Sequence, residues 1–240
     1  MSKIIAVCGA PDSGKTTLAL KLAQELHFIS KAPVLILSTD LEVPTLGYLF
    51  PHFKASDLYS IGKALDKTDI YREDVLKQTV TVKSMPNLGY LGFKVGENKY
   101  SYPRPTEDKI LELFRCMCEL AEYVVIDSVS NNDDLITSLA IREADNVIIT
   151  VTPDVKSLTY ISSNGDAFLG CSDKAEFVMS LTENDLFLPI EEVKGHFKII
   201  NHIIPYSHPL KQQIIKGTLS ERLADKKYRE VLYRLAKAVS

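Results

Sequence analysis

The chain has 240 residues, 45% of them hydrophobic and 25% charged, with a net charge of −3 at pH 7. This is the composition of an ordinary globular protein, and we expect one domain, residues 1–240, with a single substantial core. The small negative charge excludes a general attraction to nucleic acid or anionic lipid, so such binding would need a local basic patch.

Sequence features that report on location favour the cytoplasm. No run of 18 apolar residues occurs, which argues against a transmembrane helix. The chain starts directly with a predicted strand, without the charged segment and apolar core of a signal peptide. Four cysteines in a chain of this length do not make a disulfide framework.

The first patterned segment is a strand, a glycine-rich loop and a helix. Residues 4–8 are an apolar run that predicts a buried strand, and residues 18–26 have a helical pattern. Between them stands Gly-x-x-x-x-Gly-Lys-Thr, residues 9–16, which is the phosphate-binding loop pattern in its required context. Backbone N–H groups of such a loop point into one concavity and hold phosphate oxygens, while the helix N-terminus adds its positive dipole end.

The residues of this loop have separate expected roles. Lys15 would bring positive charge to the β- and γ-phosphates, and the Thr16 hydroxyl would be a ligand for Mg²⁺. The other residues expected to surround the phosphates are Gly9, Ala10, Pro11, Asp12, Ser13 and Gly14.

Carboxylates follow two further predicted strands. Residues 34–37 are an apolar run followed by Asp40 and Glu42, and residues 123–126 are another, followed at once by Asp127. The carboxyl ends of strands form the ligand-binding edge of an open α/β sheet. An Asp at the end of such a strand commonly reaches Mg²⁺ through water, so we expect these carboxylates beside the phosphate loop.

The remaining chain alternates between helix and strand. We expect one or two helices in 56–78, strands at 80–82 and 88–91, a mobile loop at 92–105, helices at 110–120, 133–143 and 155–169, and strands at 146–151 and 197–201. Residues 171–196 indicate only a helix-bearing excursion, and the rest is predicted to be helical. This alternation predicts the α/β class, with a mostly parallel sheet flanked by helices.

Five stretches carry a resemblance to a known family. They are Gly-Ala-Pro-Asp-Ser-Gly-Lys-Thr-Thr (9–17), Leu-Ser-Thr-Asp-Leu-Glu (37–42), Val-Val-Ile-Asp (124–127), Ala-Asp-Asn-Val-Ile-Ile-Thr-Val-Thr-Pro-Asp-Val-Lys-Ser-Leu (144–158) and Lys-Ile-Ile-Asn (198–201). Their order resembles the MinD/ParA family of deviant Walker A P-loop ATPases, which are P-loop NTPases of the SIMIBI type. Members of that family position division sites, plasmids, chromosomes, pili and other cargo.

The resemblance implies ATP and Mg²⁺ as cofactors and extends the set of binding residues. Thr17 would contact the α-phosphate, and Asn201 corresponds to an adenine-contacting Asn. Asp40 would support the metal, Glu42 would help to orient the attacking water, and Asp127 would reach Mg²⁺ through water. With Lys15, these two carboxylates at 40 and 42 make up the implied catalytic set.

One departure from the family concerns a second lysine. Members with robust ATP-dependent dimers have it five residues before the loop lysine, and here that position is Ala10. Alanine cannot neutralise charge that develops on the γ-phosphate, so we expect slow or partner-stimulated hydrolysis or none. In lacking this lysine, the chain resembles the TadZ/CpaE branch, which localises pilus assembly machinery.

Two other functions stay open. The first is a non-hydrolysing scaffold that binds ATP and recruits a partner. The second is a bacterial tyrosine kinase, which residues 37–50 also resemble, although Val43 stands where those kinases have Arg and no terminal tyrosine cluster is present. In the favoured interpretation the chain forms a nucleotide-dependent homodimer that acts on an unknown protein cargo or adaptor.

The C-terminal residues 226–240 combine an apolar stripe with basic flanks. They contain five Lys or Arg residues against the single acid Glu230. A basic amphipathic helix can lie on an anionic membrane or approach DNA, which would place the protein at the membrane or nucleoid surface. The alternative that we favour is a final helix that packs its stripe on the body of the protein.

Overall fold

A computed structural model describes residues 2–165, 168, 171–181, 188–197 and 200–240. The strands are β1 Lys3–Gly9, β2 Val34–Ser38, β3 Val80–Val82, β4 Met85–Leu91, β5 Tyr123–Asp127, β6 Asn146–Val151, β7 Ala175–Ser180 and β8 His202–Ile204. They form one eight-stranded sheet in the order β3-β4-β2-β5-β1-β6-β7-β8. β3 pairs antiparallel with β4 at one edge, and every other neighbouring pair is parallel.

Helices cover both faces of this sheet, which confirms the predicted α/β class. They are α1 Lys15–Ser30, α2 Leu46–Leu49, α3 Gly62–Leu65, α4 Arg72–Gln78, α5 Glu107–Leu120, α6 Leu135–Glu143, α7 Val155–Asn164, α8 Ile190–Phe197, α9 His208–Lys216 and α10 Lys226–Val239. Side chains of β1 alternate between the two cores. Ile5 and Val7 pack with α1 and α10, whereas Ile4 and Ala6 pack with α5 and α6.

The strand register aligns the chain segments that were expected to bind nucleotide. Gly9 lies opposite Thr150 of β6, and Val7 lies opposite Asp127 of β5, which in turn lies opposite Ser38 of β2. The loop after β1 and the carboxyl ends of β2 and β5 therefore meet at one edge of the sheet, where open α/β folds bind ligands.

Several helices at this edge begin with an aspartate cap. The carboxylate of Asp134 accepts a hydrogen bond from the Thr137 N–H, and that of Asp154 accepts one from the Ser157 N–H, each at 2.8 Å. Such caps satisfy N–H groups that have no partner within the helix. Asp134 is thus occupied as a cap of α6.

The structure corrects the predicted elements near the C-terminal half of the sheet. The prediction of a strand over 197–201 is wrong for the described residues, because α8 ends at Phe197, residues 200 and 201 are in no strand and β8 begins at His202. Residues 198 and 199 of this prediction lie outside the described residues. A strand that was not predicted, β7, lies within 171–196. Met85 and Pro86, expected to separate two strands, are part of β4. The last residues of the helix predicted over 155–169 lie partly outside the described residues.

The C-terminal helix packs on the body of the protein, which confirms the favoured alternative. The buried residues of α10 are Tyr228, Val231, Leu232, Leu235, Ala236 and Val239. They join the core cluster that contains α1, so the basic residues lie on the outer face. Among the described residues, no helix is both long and apolar enough to cross a membrane.

Candidate nucleotide-binding site

The loop between β1 and α1 is flanked by two glycines with positive φ, a backbone conformation that favours glycine. Gly9 has φ 134°, and a Cβ built there would lie 2.1 Å from the carbonyl oxygen of Thr150. Gly14, directly before α1, has φ 85°. These glycines let the chain turn tightly and approach β6, so the loop carries its N–H groups at the sheet edge.

Lys15 is folded back onto its own loop and onto the segment after β5. Its Nζ donates to the carbonyl oxygen of Ala10 at 2.9 Å and to Ser130 Oγ at 2.5 Å. The same carbonyl accepts from Ser13 Oγ at 2.7 Å. Burial lowers the pKa of Lys15, while the charge of Asp127 acts in the opposite direction. These neutral partners are weaker than a phosphate, so they can be replaced by one.

Asp127 is a buried carboxylate with an unused acceptor. Its Oδ2 accepts from Ser38 Oγ at 3.3 Å, but its Oδ1 is buried without a hydrogen-bond partner. Burial raises the pKa of Asp127 to about 6, although the Thr16 hydroxyl and the charge of Lys15 lower it. A buried acceptor without a donor is costly. A hydrated Mg²⁺ would supply that donor, so Asp127 and Thr16 fit the expected metal.

The acidic residues after β2 hold different positions. Asp40 Oδ1 accepts from the N–H groups of Glu42 at 2.9 Å and Val43 at 2.7 Å, so this side chain stabilises the turn that contains it. Its charge also acts on the pKa of both Lys15 and Asp127, which places it close to the phosphate loop. Glu42 is exposed at the rim.

Asp12 has an ion-pair partner that sequence reasoning did not find. It has φ 60°, unusual for a non-glycine residue, and its carboxylate is paired with Lys156 Nζ. Lys156 lies in the first turn of α7 and lowers the pKa of Asp12. The acidic charge inside the phosphate loop is therefore balanced by a lysine from a distant part of the chain.

Asn201 does not end a strand, on which its predicted role depended. It precedes β8, and its Oδ1 accepts from the N–H of Phe177 at 2.8 Å. The polar residue at the carboxyl end of the neighbouring strand β7 is Ser180, and a Cβ built at Gly14 would lie 3.9 Å from Ser180 Oγ. Ser180 was missed because β7 was not recognised as a strand.

A cleft of about 700 Å³ lies beside the segments that follow β2 and β5. Its walls come from residues 39–43, 102–105 and 133–136, and Ser130 lies between it and Lys15. Residues 92–105, which form part of this wall, contain no helix or strand, but hydrogen bonds to Glu97 hold the segment in place. This carboxylate accepts from Ser60 Oγ at 2.6 Å, from Tyr102 Oη at 2.7 Å and from the Lys94 N–H at 2.8 Å.

Together these groups favour a phosphate-bearing ligand with a divalent cation. The loop offers backbone N–H groups, a helix N-terminus and an ammonium group, and the charge of the buried Asp127 carboxylate acts on the pKa of that ammonium group. Within the described residues, no three side chains of His, Cys, Asp or Glu group into a metal site of their own. With Thr16 and Asp127 as the protein groups, a cation here would complete its shell with oxygens of the ligand and with water.

Comparisons with known proteins identify the fold. The sequence matches no protein-family model and no curated protein. A ParA family ATPase from Chlorobium tepidum shares the structure with a TM-score of 0.80, at 14% identity over 99% of both chains. The cell division ATPase MinD from Pyrococcus furiosus gives 0.78, at 17% identity over 100% of this chain and 98% of that one.

A third structure adds a bound nucleotide. The septum site-determining protein MinD from Pyrococcus horikoshii, complexed with Mg-ADP, gives a TM-score of 0.74 at 16% identity, over 100% of this chain and 96% of that one. The likeness extends along the whole chain in all three cases. This chain therefore has the fold of the MinD and ParA ATPases.

Proposed function

We propose that this protein binds Mg-ATP and acts as a slow, MinD/ParA-like ATPase. The observation that carries the proposal is a glycine loop whose Lys15 is near enough to Asp127 for the carboxylate charge to act on its pKa, together with the one buried oxygen of Asp127 that has no hydrogen-bond partner. The fold supports it, and a MinD of the same fold is complexed with Mg-ADP.

In the proposed complex the loop N–H groups and Lys15 bind the β- and γ-phosphates. Thr16 supplies a hydroxyl ligand and Asp127 accepts from metal-bound water, while Thr17 approaches the α-phosphate. Mg²⁺ neutralises charge on the phosphates when it is bound. Ser180 is our candidate for contact with the nucleoside side of the ligand, in place of Asn201.

Slow turnover follows from the charge at the loop. Ala10 is fully buried and supplies no cation where charge would develop on the γ-phosphate. Asp40 and Glu42 are proposed to support the metal and the attacking water. Asp40 is held by hydrogen bonds within its own turn, whereas Glu42 is exposed.

The biological role that we propose is the positioning or partitioning of a cellular cargo by a nucleotide-dependent homodimer. Relatives by fold include a cell division ATPase and a ParA family ATPase. We propose a cytoplasmic protein whose partner is a protein cargo or adaptor. The exposed basic face of α10, which includes Lys227, Arg234 and Lys237, provides a contact for an anionic surface of membrane or DNA.

A second candidate function is an ATP-bound scaffold that does not hydrolyse its ligand, and the buried Ala10 favours it. The tyrosine kinase alternative finds less support. An acceptor tail must reach an active site, but Tyr228 is 5% exposed in the core, and Tyr233 lies within α10.

Calorimetry and sedimentation with Mg-ATP, Mg-ADP and Mg-GTP test the proposal. We expect binding that favours adenine nucleotides, and a mass increase with Mg-ATP only. Lys15→Ala should lower the affinity at least about a hundredfold, because a charge-assisted contact to phosphate is lost. The exposed Lys54→Ala is the control and should bind normally. A folded wild-type protein without affinity for any of these ligands would refute the proposal, whereas binding without dimerisation would favour the scaffold.

A further inference from the structure

Helix α7 is connected to the phosphate loop through Ser130, Tyr160 and Lys156, which do not belong to the expected nucleotide site. One connection runs from Lys15 through Ser130 to Tyr160. The other is the ion pair between Asp12 and Lys156. Both begin at a charged residue of the loop and end on the same helix.

The first connection passes through the turn that follows β5. Ser130 Oγ accepts from Lys15 Nζ at 2.5 Å, and the carbonyl oxygen of the same serine accepts from Tyr160 Oη at 3.0 Å. Asn132 Nδ2 donates to Asn164 Oδ1 at 3.3 Å, and Asn164 Nδ2 donates to the carbonyl oxygen of Tyr160 at 2.9 Å. The turn at 130–132 is therefore fastened to the C-terminal half of α7 at two points.

A bound phosphate group would compete with Ser130 for the ammonium group of Lys15, the first group of this connection. Lys15 donates to two neutral oxygens, and hydrogen bonds to an ionised phosphate are about twice as strong as those to a neutral acceptor. When the ammonium group turns to a β-phosphate, Ser130 loses its donor. Lys15 has three N–H donors and uses two of them on Ala10 and Ser130, so a second hydrogen bond to phosphate must displace one of these partners.

The second connection responds to the same charge. A bound polyphosphate repels the carboxylate of Asp12 and attracts the ammonium group of Lys156, which lie together at the rim of the loop. Ligand binding thus weakens both attachments of α7.

We propose that Lys15, Ser130 and Tyr160 form a relay that reports phosphate binding to α7. Ser130 and Tyr160 are positioning residues. Without ligand, Ser130 accepts a hydrogen bond from Lys15 and so fixes the position of its ammonium group, while Tyr160 fixes the position of Ser130. Ligand binding withdraws Lys15, loosens the turn at 130–132 and releases the C-terminal half of α7. The relay rests on the proposed nucleotide binding.

Amide hydrogen exchange with Mg-ADP tests the relay, at a protein concentration where sedimentation shows a monomer. Saturation should speed exchange about fivefold at 130–132 and 160–164, the change expected from the loss of a hydrogen bond of about 1 kcal/mol. Tyr160→Phe should exchange rapidly there without ligand and change no further. Tyr233→Phe, on the outer face of α10, is the matched control and should respond like the wild type.

A second variant separates a positioning role from simple damage. Ser130→Ala removes the resting partner of Lys15 and should bind Mg-ADP about fivefold more tightly, whereas a merely structural lesion would weaken binding. Ser138→Ala, exposed on α6, should leave affinity unchanged. Unchanged or slower exchange in the wild type, or weaker binding by Ser130→Ala, overturns the relay alone. Absence of any binding by the wild type overturns the proposed function, and the relay with it.

Discussion

The carboxyl group of Asp127 is buried away from water. It is 3% exposed, and burial raises its pKa to about 6 from an ordinary value near 4. Between about pH 4 and pH 6 the folded protein binds more protons than the unfolded chain, so the free energy of unfolding falls as the pH rises. Above about pH 6 the ionised group carries a net cost of roughly 2–3 kcal/mol, in which burial outweighs the favourable effects of its neighbours.

This cost predicts that Asp127→Asn stabilises the ligand-free protein at pH 7 by roughly 1–3 kcal/mol. The variant should also lose the fall in stability between about pH 4 and pH 6, as urea unfolding at a series of pH values would show. Asp69→Asn, at an exposed site, is the control and should behave like the wild type. If Asp127→Asn is instead less stable than the wild type at pH 7, favourable contacts of the ionised carboxylate outweigh its desolvation cost.

At the residue scale, local patterns located some site residues and could not locate others. Lys15 and Asp127 stand in stretches whose spacing indicates phosphate and metal chemistry. Ser130 and Lys156 carry no such pattern. Only the sheet register and the path of α7 bring them to the loop, and contacts between residues that are distant in sequence are not encoded in a short motif.

At the scale of elements, burial explains which strands were predictable. β1, β2, β5 and β6 lie inside the sheet and are covered on both faces, so they read as continuous apolar runs. β7 and β8 lie at one edge, where most of their residues are only partly buried. Such strands have mixed patterns, and the last strand was predicted at 197–201, whereas β8 spans His202–Ile204.

Helix α1 joins the phosphate loop to the segment before α10 through a buried lysine. Lys21 is 1% exposed, and its Nζ donates to the carbonyl oxygens of Leu219 at 2.7 Å and Glu221 at 2.8 Å, and to Gln24 Oε1 at 3.2 Å. Burial lowers the pKa of Lys21 to about 7. The lysine therefore fixes the path of residues 219–221, which precede α10 in the chain.

Replacing this lysine should destabilise the fold although it removes a buried amine. Lys21→Met leaves the carbonyl oxygens without donors, and we expect a loss of roughly 1–3 kcal/mol in urea unfolding. Above about pH 7 the unfolded chain holds a proton that folded Lys21 releases, so the stability of the wild type rises toward about pH 10. The difference between the two proteins should grow over that range. Lys227→Met, exposed on α10, is the control. An equal loss of stability in both variants would contradict the stabilising role of Lys21.

At the scale of the whole molecule, the two faces of the sheet pack against different helices and differ in their relation to the site. One core, with α1 and α10, holds the loop helix and the C-terminal helix together. The apolar stripe of α10 is used there, so an anionic partner would meet basic side chains without the helix having to leave the core. The other face carries α5 and α6 and borders the cleft beside the loop.

The balance of charge around the phosphate loop sets the expected rate of hydrolysis. Ala10 contributes no charge, and the ammonium group of Lys156 is neutralised by Asp12. GTPases that hydrolyse without a cationic side chain at the γ-phosphate turn over at roughly 10⁻³ s⁻¹ or less. We expect the wild type to hydrolyse ATP below about 10⁻² s⁻¹, with Lys15→Ala as the measure of contaminating activity.

Asp12→Asn tests whether missing charge is the cause of the slow rate. The substitution removes a repulsive carboxylate from the loop and frees Lys156, so Mg-ATP should bind more tightly and turn over faster, each by less than about tenfold because the pair is exposed and screened. Asp133→Asn, exposed before α6, is the control. In the double variant with Lys156→Gln the gain in rate should disappear. A rate in Asp12→Asn equal to that of the wild type would show that charge at the rim of the loop does not limit hydrolysis, and a wild-type rate above about 1 s⁻¹ would show that the loop needs no further cation.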